Sequence, residues 1–148
     1  MAKSSAIASA IKAAIEAVDL SAYEQGTGET HLRQALTLEA DGPGYVTPHL
    51  VYFLFTESIE YLDRGRGVVL AITRFSLFVV FRLRPNIEDQ WGDFDAATDA
   101  SEEIRTAITA DLGGAACKVE RIEYSGTQSD GATLGVQFSI NAVHHSEP

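Results

Sequence analysis

The chain has little of what most enzymes display. One cysteine, Cys117, stands in 148 residues, so there is no intrachain disulfide and no cysteine-based zinc site. No serine sits in a Gly-x-Ser-x-Gly context, and no Gly-x-Gly-x-x-Gly follows a strand-like run. Gly65-Arg66-Gly67 leads into a strand rather than a helix, which makes it a turn and not a phosphate loop. Positive charge is scarce: 11 Lys and Arg face 21 Asp and Glu, for a net charge of −10. That balance argues against nucleic acid as a direct partner, because such binders carry a basic footprint. The longest apolar run, residues 68–81, contains Arg74 and is too short and too β-like to span a membrane as a helix. No repeat, low-complexity tract or second domain is visible, and the length fits one domain with one core.

What is present is architecture. Between Gly67 and Pro85 the sequence VVLAITRFSLFVVFRLR is dense in β-branched and aromatic residues. Phe75, Leu77, Val79, Phe81 and Leu83 share one face at period 2, with Ser76, Phe78, Val80, Arg82 and Arg84 on the other. Two apolar faces imply cover on both sides, and around Phe78 and Val80 another subunit is expected to supply part of it. At the N-terminus, Ile7, Ile11, Ala14, Ile15 and Val18 form a helical stripe over Ser5–Val18. Lys12 and Glu16 interrupt it, so it reads as an amphipathic helix and not a signal sequence.

Residues 21–48 are less legible. Tyr23 falls in a possible short strand, Leu32, Leu36 and Leu38 fit either a strand or a helical turn, and Asp41-Gly42-Pro43-Gly44 is a turn. His49–Phe55 reads as a strand, and Ser58–Gly67 as the loop or hairpin tip joining it to the central strand.

After Pro85 the chain turns acidic, with Glu88, Asp89, Asp93, Asp95, Asp99, Glu102 and Glu103 and no Lys or Arg up to residue 103. Residues 85–95 read as a loop with Trp91-Gly92 in its middle. Asp99 and Glu102 match a capping box for a helix over about Ala97–Leu112, which Gly113-Gly114 would stop. A calcium loop counted from Asp93 fails twice: Thr98 stands where the turn glycine belongs and Ile104 where the bidentate glutamate belongs. His144 and His145 point to opposite faces of a strand, so they do not form a metal pair, and a satisfied surface role fits them, with His31 or His49 as conceivable partners. No metal, cofactor or catalytic residue is therefore expected.

Lys118–Tyr124 and Thr133–His145 close the domain as alternating strands around the polar loop Ser125–Gly131. The fold class is α+β: a mainly antiparallel sheet, with the N-terminal helix and a second helix packed on one face.

As a run of elements the chain resembles the tail terminator (tail completion) proteins of long-tailed bacteriophages. The likeness comprises the Ala/Ile helix, the strand His49–Phe55, a loop carrying Arg64 and Arg66, and the strand Phe75–Leu83. A polar loop, the helix Ala97–Leu112 and the ending LGVQFSINAVHH complete it. The segment 21–48 departs from the compact entry expected of that family. The resemblance implies a non-enzymatic virion protein, assembled in the host cytoplasm as a hexameric ring at the head-proximal end of the tail tube. Such a ring stops tube polymerisation and meets the head connector or neck. DNA passes through it without specific binding, and an acidic lining would repel phosphate.

Five of the eleven basic residues, Arg64, Arg66, Arg74, Arg82 and Arg84, lie within 21 positions. In such a ring they would face the acidic segment 88–103 of a neighbouring copy through heterologous contacts. Candidate subunit or partner contacts are therefore Asp63, Arg64 and Arg66 in one loop and Trp91, Asp93 and Asp95 in the other. The alternative from a different class is a small α+β ligand-binding domain or enzyme that dimerises through its sheet.

Overall fold

The computed structural model describes residues 3–25, 27–35, 49–63, 69–127 and 133–146. The elements, in chain order, are α1 (Ser4–Glu16), a 3-10 turn (Ser21–Tyr23), β1 (Arg33–Gln34), β2 (Val51–Asp63), β3 (Val69–Arg82), α2 (Ile87–Ile108), β4 (Asp111–Leu112), β5 (Ala115–Thr127) and β6 (Thr133–Ser146). The six strands form one sheet in the order β1-β2-β3-β6-β5-β4, antiparallel except for the short β1–β2 pairing. The α+β class expected from the sequence is the one observed.

The core follows from period 2 on the strands and period 3.6 on the helices. Register places Leu77 beside Phe138, Phe75 beside Ile140 and Val79 beside both Val136 and Tyr52, so these side chains share one face. Against that face pack Ile7, Ile11 and Ile15 of α1 and Ala97, Ala100, Ile104 and Ile108 of α2, all buried. Each large buried side chain contributes about 2 kcal/mol of transfer free energy. Both ends of α1 are also tied to the sheet. Ser4 Oγ lies 3.1 Å from Thr73 Oγ1, which lies 2.8 Å from His144 Nε2. At the other end the Tyr52 hydroxyl donates to Glu16 Oε1 at 2.7 Å.

Several boundaries differ from expectation. β2 does not end at Phe55 but runs to Asp63, and a register shift between Thr56 and Ser58 explains why its alternation breaks. A second shift, between Val119 and Arg121, kinks β5. From Ile87 onward the segment 85–95 is helix and not loop. Asn86 caps α2, its side chain accepting from the Glu88 N–H at 3.0 Å, and Glu88 and Asp89 fill the favourable acidic first turn.

Gly113-Gly114 do not stop α2, which ends at Ile108. They form the two-residue turn between β4 and β5, both at positive φ (61° and 84°), as a tight hairpin of this kind demands. Tyr23 lies in the 3-10 turn and not in a strand. His144 is buried among the helices' side of the sheet rather than on the surface, bonded to Thr73 and not to His31 or His49. The expected turn at Asp41–Gly44 lies outside the described residues.

Candidate functional site

The acidic helix α2 divides into an inner and an outer stripe. Asp93 belongs to the inner one and is 2% exposed. It accepts from the Arg84 backbone N–H at 2.8 Å and from the Arg84 guanidinium, Nε at 3.0 Å and Nη2 at 2.8 Å. A buried carboxylate is tolerable only when so paired, and this one fastens the start of α2 to the end of β3. The outer stripe presents Ile87, Glu88, Trp91, Asp95, Asp99 and Glu102 to solvent. Ile87 is 68% exposed and Trp91 71% exposed, one helical turn apart, so they form a single apolar knob beside a line of carboxylates.

Among the described residues no helix covers the sheet face opposite α1 and α2, although Ser76 and Val80 on it are buried. Register and alternation put Phe53, Phe55, Phe78, Val80, Arg74 and Arg82 on it, and from β5 Lys118, Arg121 and Glu123. Phe55 is 57% exposed and stacks on Phe53, ring centroids 6.2 Å apart with the planes 4° from parallel. Phe78 is half-buried because its ring lies over Gly135: a Cβ there would come within 2.4 Å of the ring tip. Val80 is already buried, so the uncovered apolar patch is centred on Phe55 and not on Val80. Beside it, at the β5 bulge, a shallow depression is lined by Lys118, Val119, Glu120, Arg121 and Ser139.

Of the residues singled out from the sequence, Trp91 and Asp95 share the exposed stripe of α2, while Asp93 faces inward. Asp63 closes β2 opposite Val69; Arg64 and Arg66 lie outside the described residues. Arg74 and Arg84 are engaged within the subunit, Arg74 with Glu60 at 3.0 Å and Arg84 with Asp93. Sequence reasoning missed Ile87 and Phe55 as exposed apolar groups. The period of four that joins Ile87 to Trp91 was the available signal, hidden by placing both in a loop.

Among the described residues the buried histidines are held by structural partners, although Nδ1 of His144 has none. His49 donates from Nε2 to the Tyr23 carbonyl at 2.7 Å and accepts at Nδ1 from the Arg82 N–H at 3.0 Å. Burial holds its pKa below the ordinary histidine value. Gln25 Nε2 donates to the Arg82 carbonyl at 2.7 Å, so both backbone groups of Arg82 are taken by side chains. Burial pushes the Cys117 thiol up, away from the thiolate needed for nucleophilic or metal chemistry. Among the described residues no three His, Cys, Asp or Glu side chains gather as a metal site, and no helix is long and apolar enough to cross a membrane.

No protein-family model matches the chain, and no curated protein matches it in sequence. Among solved structures the fold is similar to that of a chain in the virion of the native gene transfer agent (GTA) particle. The TM-score is 0.60 at 18% identity, and the match covers 96% of this chain and 96% of that one. At that identity the likeness is one of fold, extending over nearly the whole of both chains.

Proposed function

We propose that this protein is a structural component of a phage-like virion, a tail terminator that forms a ring at the head-proximal end of the tail tube. The observation that carries the reading is the end-to-end fold likeness to a chain of a gene transfer agent virion. It joins a resemblance in element order to terminators. The inference from fold to role is one of analogy, and the surfaces support it independently. A helix bearing carboxylates and an apolar knob lies on one side of the sheet, and a face carrying phenylalanines and cations lies on the other.

In this role the protein needs no cofactor and no reaction. Its work is to present one surface to the last ring of the tail tube, another to the head connector or neck, and flanking surfaces to its own copies, with six copies closing the ring. The ring is built in the host cytoplasm and stays in the finished particle. Its net charge of −10 suits a channel that DNA must traverse without adhering. Electron microscopy of particles made without this protein tests the role. Tails of uncontrolled length, detached from heads, are expected; tails of normal length joined to heads would overturn it.

A further inference from the structure

We propose that the open sheet face around Phe53, Phe55 and Phe78 receives the outer stripe of α2 from a second copy of this chain, with Ile87 and Trp91 seated on the phenylalanines. The contact rests on the ring reading above and specifies the surfaces by which neighbours meet.

Apolar complementarity is the first argument. Trp91, 71% exposed, and Phe55, 57% exposed, are among the large apolar side chains that the subunit leaves in water. Each lies within a local cluster, Trp91 with Ile87 and Phe55 stacked on Phe53, as interface anchors do.

Charge complementarity is the second. On the open face the four cations Arg74, Arg82, Lys118 and Arg121 stand against Glu60, Glu123 and, at the β5 bulge, Glu120. Glu60 and Glu123 pair with Arg74 and Arg121, leaving Arg82 and Lys118 without an ion pair among the described residues. The stripe on α2 is the reverse: Glu88, Asp95, Asp99 and Glu102 line it with no cation until Arg105. A net positive face in a protein of charge −10 is matched to few surfaces as well as to this one.

Geometry is the third. α2 packs on the side of the sheet opposite the open face, so no subunit can bring its own two surfaces together. A contact between them is necessarily between copies and heterologous. Each added subunit offers the same free pair again, which is the contact from which rings are built.

Reciprocal charge reversal in the full chain tests this. One variant carries Lys118→Glu with Arg121→Glu, the other Asp95→Lys with Asp99→Lys; all four side chains are exposed, and thermal unfolding checks that both variants fold. Sedimentation velocity should show that the wild type self-associates and that each variant alone associates about tenfold more weakly or worse. An equimolar mixture should regain the wild-type mass, because each variant's helix then fits the other's sheet. Trp91→Ala should weaken association roughly thirtyfold. A wild type that stays monomeric at its highest soluble concentration, or reversed variants that associate as the wild type does, overturns the contact. A wild-type hexamer indifferent to both reversals overturns this contact alone and leaves the ring standing, whereas a closed wild-type dimer overturns the ring reading.

Discussion

Arg84 gives Asp93 both its backbone N–H and its guanidinium, so one buried carboxylate fixes the direction in which the chain leaves β3 and enters α2. That direction sets where Ile87 and Trp91 emerge, six and two residues before Asp93. Asp93→Ala should destabilise the subunit by about 2 kcal/mol, since the Arg84 N–H loses its acceptor while the half-exposed guanidinium recovers water. Asp93→Asn keeps an oxygen for the N–H and should cost about half as much. Urea midpoints of the two variants check the order, and equal midpoints would count against it.

A second expectation concerns acid. His49 is held neutral by one bond that uses its Nε2 proton and another that uses the Nδ1 lone pair. Protonation would place a proton on Nδ1 against the Arg82 N–H. The folded pKa lies below the unfolded one, so the unfolded state binds the proton first as pH falls. Stability is therefore full above about pH 6.5 and declines below it, by at most about 1.4 kcal/mol per pH unit from this group. His49→Gln should flatten the stability profile as pH falls below about 6.5. An unchanged slope in that variant would assign the loss to other groups.

The turn beneath α1 gives a third. A Cβ at Gly113 would stand 2.8 Å from the Ile7 Cα and 2.9 Å from the Ala6 carbonyl oxygen, and φ is +61°. Both contacts are with backbone, which has little freedom to yield. Gly113→Ala should cost roughly 2 kcal/mol or more, from the left-handed conformation plus the overlap. A thermal midpoint equal to the wild type would show that the hairpin and α1 are less tightly apposed.

Gly135 presents a contrast on the open face. There the overlap is with two side chains, the tip of the Phe78 ring, which can swing outward, and Ser125 Oγ at 2.7 Å, which can turn aside at the loss of its bond to the Gly135 carbonyl. Gly135→Ala should leave stability within about 1 kcal/mol of the wild type but lift Phe78 off the sheet, roughening the surface beside Phe55. Weakened self-association at nearly unchanged stability is the expected pair of results. Both falling together would mean that Phe78 supports the fold instead.

The strands that sequence displayed best are those where each residue has one unambiguous neighbour on its own face. β3 and β6 are paired along their lengths, from Val69 opposite Ser146 to Arg82 opposite Thr133, and their alternation is unbroken. β2 was harder because the irregularity after Thr56 inverts which parity faces the helices. The first turns of α2 read as a loop for a different reason. Gly92 and the run of aspartates are poor helix formers, and Asp99 with Glu102 offered a convincing but false start. The true start depends on Asn86 as cap and on the tertiary bond between Asp93 and Arg84. No local pattern records that bond. His144 was invisible likewise, because its partner Thr73 lies 71 residues away.

The isoleucines of α1 and the inner residues of α2 seal the core from within the chain. The outward phenylalanines take no part in that closure. In the proposed assembly, joining a neighbour therefore requires no rearrangement of this core. On the proposed function, subunits could then accumulate unassembled and be recruited together when a matching end is offered, so that the partner and not production sets the timing.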